Sequence, residues 1–150
     1  MTLSASAVRT IETWRLGFVA TTSPDGMPNL SPKGTFVVVD NKTIAFVEMR
    51  SPGTVANLET NPDVEINFVD VLSRRGVRIA GCGTILDRES DAYEELLPLF
   101  LALWPELEPL YNRIVRIHVR EVRPLASPIY EAGGQEAELR AHWKRKIAAL

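Results

Sequence analysis

The chain has 150 residues, 45% apolar and 24% charged, and 17 basic against 19 acidic side chains give a formal net charge of −2. One domain over residues 1–150 is expected, long enough to bury about 70% of its unfolded surface without disulfides. The near-neutral balance gives no electrostatic case for nucleic acid or an anionic membrane as partner. Cys82 is the only cysteine, which excludes an internal disulfide and a thiolate metal cluster, and with only His118 and His142 a histidine-rich metal site is not expected. The opening "MTLSASAVRTIETW" has neither a basic n-region nor an apolar h-region, and no apolar run approaches the roughly 20 residues that span a bilayer. A soluble cytoplasmic protein is the expectation.

Residues 3–14 put Leu3, Ala7, Val8, Ile11 and Trp14 on one helical face, with Ser4 placed to cap it. "RLGFVATT" (15–22) reads as a strand, and "SPDG" (23–26) as the turn of a hairpin, with Pro second and Gly fourth. "PNLSPKGTFVVV" (28–39) is again extended, but Pro28 and Pro32 lack backbone donors, so its first half must lie at an edge or a bulge. "DNK" (40–42) leads tightly into the strand "TIAFVE" (43–48), a second hairpin. A short helix follows and ends at "NPD" (61–63), because a residue before Pro avoids the helical region. "VEINFVD" (64–70) and "VRIAGCGTIL" (77–86) are further strands, and Gly81 and Gly83 imply close backbone packing.

"SDAYEELLPLFLALW" (90–104) is a helix with a stripe from Tyr93 to Trp104, kinked at Pro98 and ended by Pro105. "RIVRIHVREV" (113–122) alternates Val115, Ile117 and Val119 with Arg116, His118 and Arg120. A terminal amphipathic helix (136–150) carries Leu139, Trp143, Ile147 and Leu150. Six strands joined largely by short turns, with helices at both ends and in the connections, predict a mainly β (α+β) class and a closed or half-closed antiparallel barrel.

Three stretches carry candidate chemistry. In "RSPGTVANL" (50–58), Ser51 is a candidate helix cap and Pro52 sits at the first helical position. The amides of Gly53 and Thr54 would then point out of the helix start beside Arg50, a phosphate cradle, and the competing reading is a capped surface helix that binds nothing. In "LSPKGTF" (30–36), backbone groups unpaired around Pro32 and Gly34 could meet a planar heterocycle beside Lys33; the competing reading is an edge strand blunted against aggregation. "SRRGVR" (73–78) is either a solvated hairpin tip or a phosphate clamp supplied by a second chain. No Ser/His/Asp spacing, G-x-G-x-x-G or Walker-type loop is present.

The order of these pieces, above all "RSPGTVANLETNPDVEINF", resembles the pyridoxamine 5'-phosphate oxidase-like family of FMN-binding split β-barrels, over roughly residues 10–90. The resemblance implies a six-stranded antiparallel split β-barrel and a homodimer with FMN in each of two interface clefts. By position, Arg50, Ser51, Thr54 and Asn57 match the phosphate-loop region, with Met49 and Gly53 completing it. Lys33, Gly34 and Thr35 match the strand along the isoalloxazine edge, and Arg75 is a candidate phosphate contact. Where true oxidases have Arg-Lys after the loop serine this chain has Pro52-Gly53, and nothing after "VREVRPLASPIY" matches their C-terminal Trp and Arg-rich substrate motif. The expectation is therefore an FMN-dependent oxidoreductase of unknown substrate and not a true pyridoxamine 5'-phosphate oxidase. The competing readings are a non-catalytic flavin-binding or carrier protein, a deazaflavin- or haem-binding protein on the same fold, and a structural dimer without ligand. Haem would need His118 or His142 as axial ligand.

Overall fold

The computed structural model describes residues 2–150. Helix α1 (Ala5–Trp14) is capped as its sequence dictates, the Ser4 hydroxyl accepting from the Ala7 amide at 3.2 Å. Strands β1 (Gly17–Thr22) and β2 (Pro28–Lys33) form the first hairpin, with Gly26 at φ 84° donating to the Ser23 carbonyl at 2.9 Å. Strands β3 (Val37–Asp40) and β4 (Thr43–Glu48) form the second, and helix α2 (Pro52–Thr60) follows β4 directly. Strands β5 (Asp63–Asp70), β6 (Arg75–Asp87) and β7 (Arg113–Ala126) complete one antiparallel sheet of order β2-β1-β5-β6-β7-β4-β3.

The sheet therefore has seven strands where the sequence pattern predicts six. The extended run 28–39 is two strands, one at each edge of the sheet, joined only by residues 34–36. That link fixes the shape. Laid flat, seven strands would hold their outer members about 29 Å apart, whereas four Cα steps reach at most about 14 Å. The sheet must curl until its edges approach, yet β2 and β3 do not pair. A split barrel results.

Inside it lie Val19, Phe36, Ile44, Phe46, Ile66, Phe68, Ile79 and Ile117, with α1 closing one side through Leu3, Ala7 and Ile11. Phe36, in the link, packs edge-on against Phe68 with ring centroids 4.7 Å apart, so the crossing between sheet edges is pinned by burial. The opposite face of β4 meets a second core built with helix α3 (Asp91–Leu101), where Val37, Ala45, Val47, Tyr93, Leu96 and Phe100 come together. At Gly81 a Cβ would lie 2.5 Å from the His118 carbonyl oxygen, the close approach expected from the glycine spacing. Pro98 lies within α3, and a 3₁₀ segment begins at Pro105.

The last helix, α4 (Glu136–Ala148), departs from its pattern: only Leu139 is buried, while Ile147 and Leu150 are exposed. Polar contacts hold it instead. Arg140 ion-pairs with Asp70, and the Arg74 guanidinium lies 3.7 Å from the Trp143 ring centroid. Burial alone would raise the Asp70 pKa, but hydrogen bonds from Ser73 and the Leu72 amide, with Arg140 nearby, carry it below the ordinary 3.8. Its contribution to stability is thus complete above the unfolded value and is lost as pH falls through the folded one. We expect Asp70→Asn to be about 1 kcal/mol less stable than the parent above about pH 4 and the two to converge as pH falls below it, so that the variant's acid denaturation curve is the flatter one. Identical acid slopes would remove Asp70 from the account. Among the described residues no helix is long and apolar enough to cross a membrane.

Candidate functional site

Alternation along β4 sends Ile44 and Phe46 into the barrel, and the same parity places Glu48 there, 3% exposed at the mouth of α2. A buried carboxylate needs partners. It accepts from the Ser51 amide at 2.5 Å and from the Ser51 hydroxyl at 3.1 Å. Ser51 does stand at the N-cap position, but its hydroxyl makes no capping bond to the helix because it is committed to Glu48. This corrects the expectation of a serine side-chain cap.

With Pro52 lacking an N–H and Val55 making the first helical bond back to the Ser51 carbonyl at 3.2 Å, the amides of Gly53 and Thr54 are left without an acceptor among the described residues. Arg50 is exposed and, among the described residues, has no ion-pair partner. A cavity of about 350 Å³ opens beside Arg50, lined also by Glu48, Ser51, Val55, Glu59, Asn112 and Arg113. Asn112 fixes its rim, donating from its side chain to the Met49 carbonyl at 2.6 Å and from its amide to the Glu48 carbonyl at 2.9 Å. Met49 itself is half-buried against the α3 core.

Thr54 and Asn57 turn inward. The Asn57 side chain donates to the Thr21 hydroxyl at 3.0 Å, and Asn29 donates to Thr54 at 3.3 Å and Thr21 at 3.4 Å. These contacts anchor α2 to the β1–β2 hairpin and hold the two unpaired amides in place. On the strand side, the buried Thr35 hydroxyl accepts from the Val47 amide at 3.1 Å and donates to its carbonyl at 3.3 Å, tying the link to β4 just beyond the β3–β4 pairing. Gly34 beside it is exposed. Lys33 is buried, its ammonium donating to Ser31 at 2.7 Å and lying 5.8 Å from the Phe46 ring centroid. Burial lowers its pKa from the ordinary lysine value, and the Glu48 carboxylate opposes that shift.

The structure thus places Arg50, Ser51, Gly53, Thr54 and Asn57 at and along the start of α2, with Glu48 and Met49 just before it; Lys33 lies within reach of the Glu48 charge, and Thr35 bonds the neighbouring Val47. Arg75 is not among them in one chain: it stacks over Tyr130 at 4.0 Å and pairs with Glu136 at 3.4 Å. Sequence reasoning missed Glu48, Thr21, Asn29 and Asn112. Only for Glu48 was there a signal, its even spacing from Ile44 and Phe46.

A family model described as pyridoxamine 5'-phosphate oxidase matches residues 3–126. The chain belongs to that family. Among solved structures, HupZ of Group A Streptococcus is 28% identical with a TM-score of 0.69, 83% of this chain covering 95% of that one. A proposed pyridoxamine 5'-phosphate oxidase from Lactobacillus delbrueckii superposes with a TM-score of 0.69 at 23% identity, with coverage of 81% and 93%. An FMN-binding protein from Syntrophomonas wolfei does so with 0.66 at 17%, with coverage of 81% and 84%. The last two likenesses speak to the fold alone. No curated protein matches the chain. Within the family framework, residues 127–150 lie outside the matched region.

Proposed function

We propose that this member of the family holds FMN at the mouth of α2, in a cleft completed by a second copy of the chain, and acts as an oxidoreductase on a substrate other than pyridoxamine 5'-phosphate. The observation that carries the reading is the pair of amides at Gly53 and Thr54 that have no acceptor among the described residues, beside Arg50, which has no ion-pair partner among them. That donor set suits a phosphate monoester: two N–H groups at the positive end of a helix and one guanidinium. Glu48 takes up the Ser51 donors, so a ligand phosphate would meet Arg50, Gly53 and Thr54, with Asn57 and the Thr54 side chain holding the helix in register.

When bound, the flavin supplies hydride or electron transfer at its own ring. Lys33 places its side-chain nitrogen beside the Gly34–Thr35 link, where the ring edge would lie, and Thr35 ties that link to β4. Arg75, at the other end of its strand, would reach the cleft from the second copy. Phe18, Met27 and Leu30 remain 40%, 63% and 66% exposed on the β1–β2 hairpin, an apolar surface suited to that copy. Trp104, by contrast, is half-buried within its own chain beneath Arg15.

The expected result is a yellow, dimeric protein. Purified material should show flavin absorbance, release FMN on denaturation, and sediment as a dimer at micromolar concentration. A monomer would remove the shared cleft, and apo-protein that fails to take up FMN would remove the cofactor. Turnover with NAD(P)H separates an oxidoreductase from a flavin carrier.

A further inference from the structure

Residues 127–148 form a strap, and its ties converge on one turn. The Ser127 amide donates to the Arg74 carbonyl at 2.9 Å, and the Tyr130 hydroxyl donates to the Ser73 carbonyl at 2.5 Å. Trp143 stacks on Arg74, Tyr130 stacks on Arg75, Arg140 pairs with Asp70, and Glu136 bridges Arg75 and Arg140. This is also the segment that lies outside the family match.

Beside the Glu136 bridge is a cavity of about 440 Å³, walled by Ser6, Arg9 and Thr10 of α1 together with Asp70, Arg75, Glu136 and Arg140. The i, i+3, i+4 spacing puts those α1 groups on one face, turned away from the buried Ala7 and Ile11. Three guanidiniums face this space, and Arg9 is exposed with no ion-pair partner among the described residues. Two carboxylates now share the space: Asp70 pairs with Arg140, and Glu136 sits between two guanidiniums, at 3.4 Å from Arg75 and 2.9 Å from Arg140.

We propose that this cavity is an anion site for a phosphate group, and that Glu136 is a built-in competitor which the ligand displaces, loosening α4. The Arg75–Glu136 pair is about half exposed on both sides, so it stabilises the closed strap only weakly. A phosphate offers three acceptor oxygens and more charge to the same guanidiniums and outcompetes a single carboxylate. The phosphate comes either from FMN held by a second copy, which rests on the function proposed above, or from a separate phosphorylated molecule.

Two arms test this on the full chain. The first uses no flavin: trypsin cleavage at Lys144–Lys146 is followed with and without sodium pyrophosphate, at ionic strength matched with sodium chloride. Pyrophosphate should speed cleavage of the parent but not of Arg75→Ala, and Glu136→Gln should be cleaved faster without any addition. Cleavage of the parent that ignores pyrophosphate overturns the proposal, as does a Glu136→Gln chain cleaved like the parent. The second arm compares FMN with riboflavin. An affinity gain of up to about fivefold for FMN alone in Glu136→Gln supports the flavin as source. Unchanged FMN affinity with an intact pyrophosphate response supports a separate phosphorylated ligand. If no variant binds FMN, the flavin reading fails, and the protease arm still decides the anion site.

Discussion

Arg50→Ala is expected to weaken FMN about ten- to a hundred-fold while leaving riboflavin almost unaffected. A charge-assisted hydrogen bond to a phosphate is worth about 1.5–3 kcal/mol, and riboflavin has no phosphate to lose. The structure makes the experiment clean. Arg50 is exposed and holds no ion pair among the described residues, so its removal should leave the fold intact. Arg113 lines the same cavity but is tied to Asp87 at 2.9 Å, so its guanidinium is already committed and Arg113→Ala should have the smaller effect on FMN. Titration of flavin fluorescence against apo-protein measures both. Equal losses for the two flavins would mean that Arg50 acts through the loop's conformation and not on phosphate.

Local pattern carried most of the fold. The two hairpins, the Ser4 cap, the alternation of β7 and the stripe of α3 all follow from side chains a few residues apart, and each is present. The seventh strand depends on something else. Pro32 and Gly34 announce an irregular strand, but only the pairing of β2 with β1 and of β3 with β4 decides that its halves belong to opposite sheet edges. Long-range choices of this kind leave no trace in a window of ten residues. Ser51 illustrates the same limit at the site. Its position predicts a cap, and the competing acceptor Glu48 is three residues away on a strand, where burial and not proximity creates its demand for donors. For α4, periodicity predicts an apolar seam, yet the helix is held by Arg140, Glu136 and Trp143, and the seam's last two members, Ile147 and Leu150, face solvent. Periodicity reports which face could be buried, and tertiary partners decide whether it is.

Gly53 separates the cap reading of residues 50–58 from the cradle reading, since each asks something different of that position. As the second residue of a helix it is slightly unfavourable, so a simple cap should gain up to about 1 kcal/mol of stability from Gly53→Ala. The fold has room for a side chain: a Cβ there would meet only the Asn29 side chain, at 3.6 Å and beyond, which is ordinary contact. Any loss of ligand affinity on substitution therefore reports on the space in front of the amides and not on damage to the barrel. A phosphate accepting from the Gly53 and Thr54 amides must approach the backbone closely, and branched bulk at 53 stands in its way. Gly53→Val should keep the apo-protein's melting temperature and weaken FMN at least about tenfold, equivalent to about 1.4 kcal/mol. Gly53→Lys is the control, because its ammonium can reach past the backbone to the same phosphate; it should bind FMN as well as the parent or better. If Gly53→Val takes up FMN with parental affinity, the two amides serve no phosphate, the stretch is a helix start and nothing more, and the flavin's anchor lies at another part of the molecule.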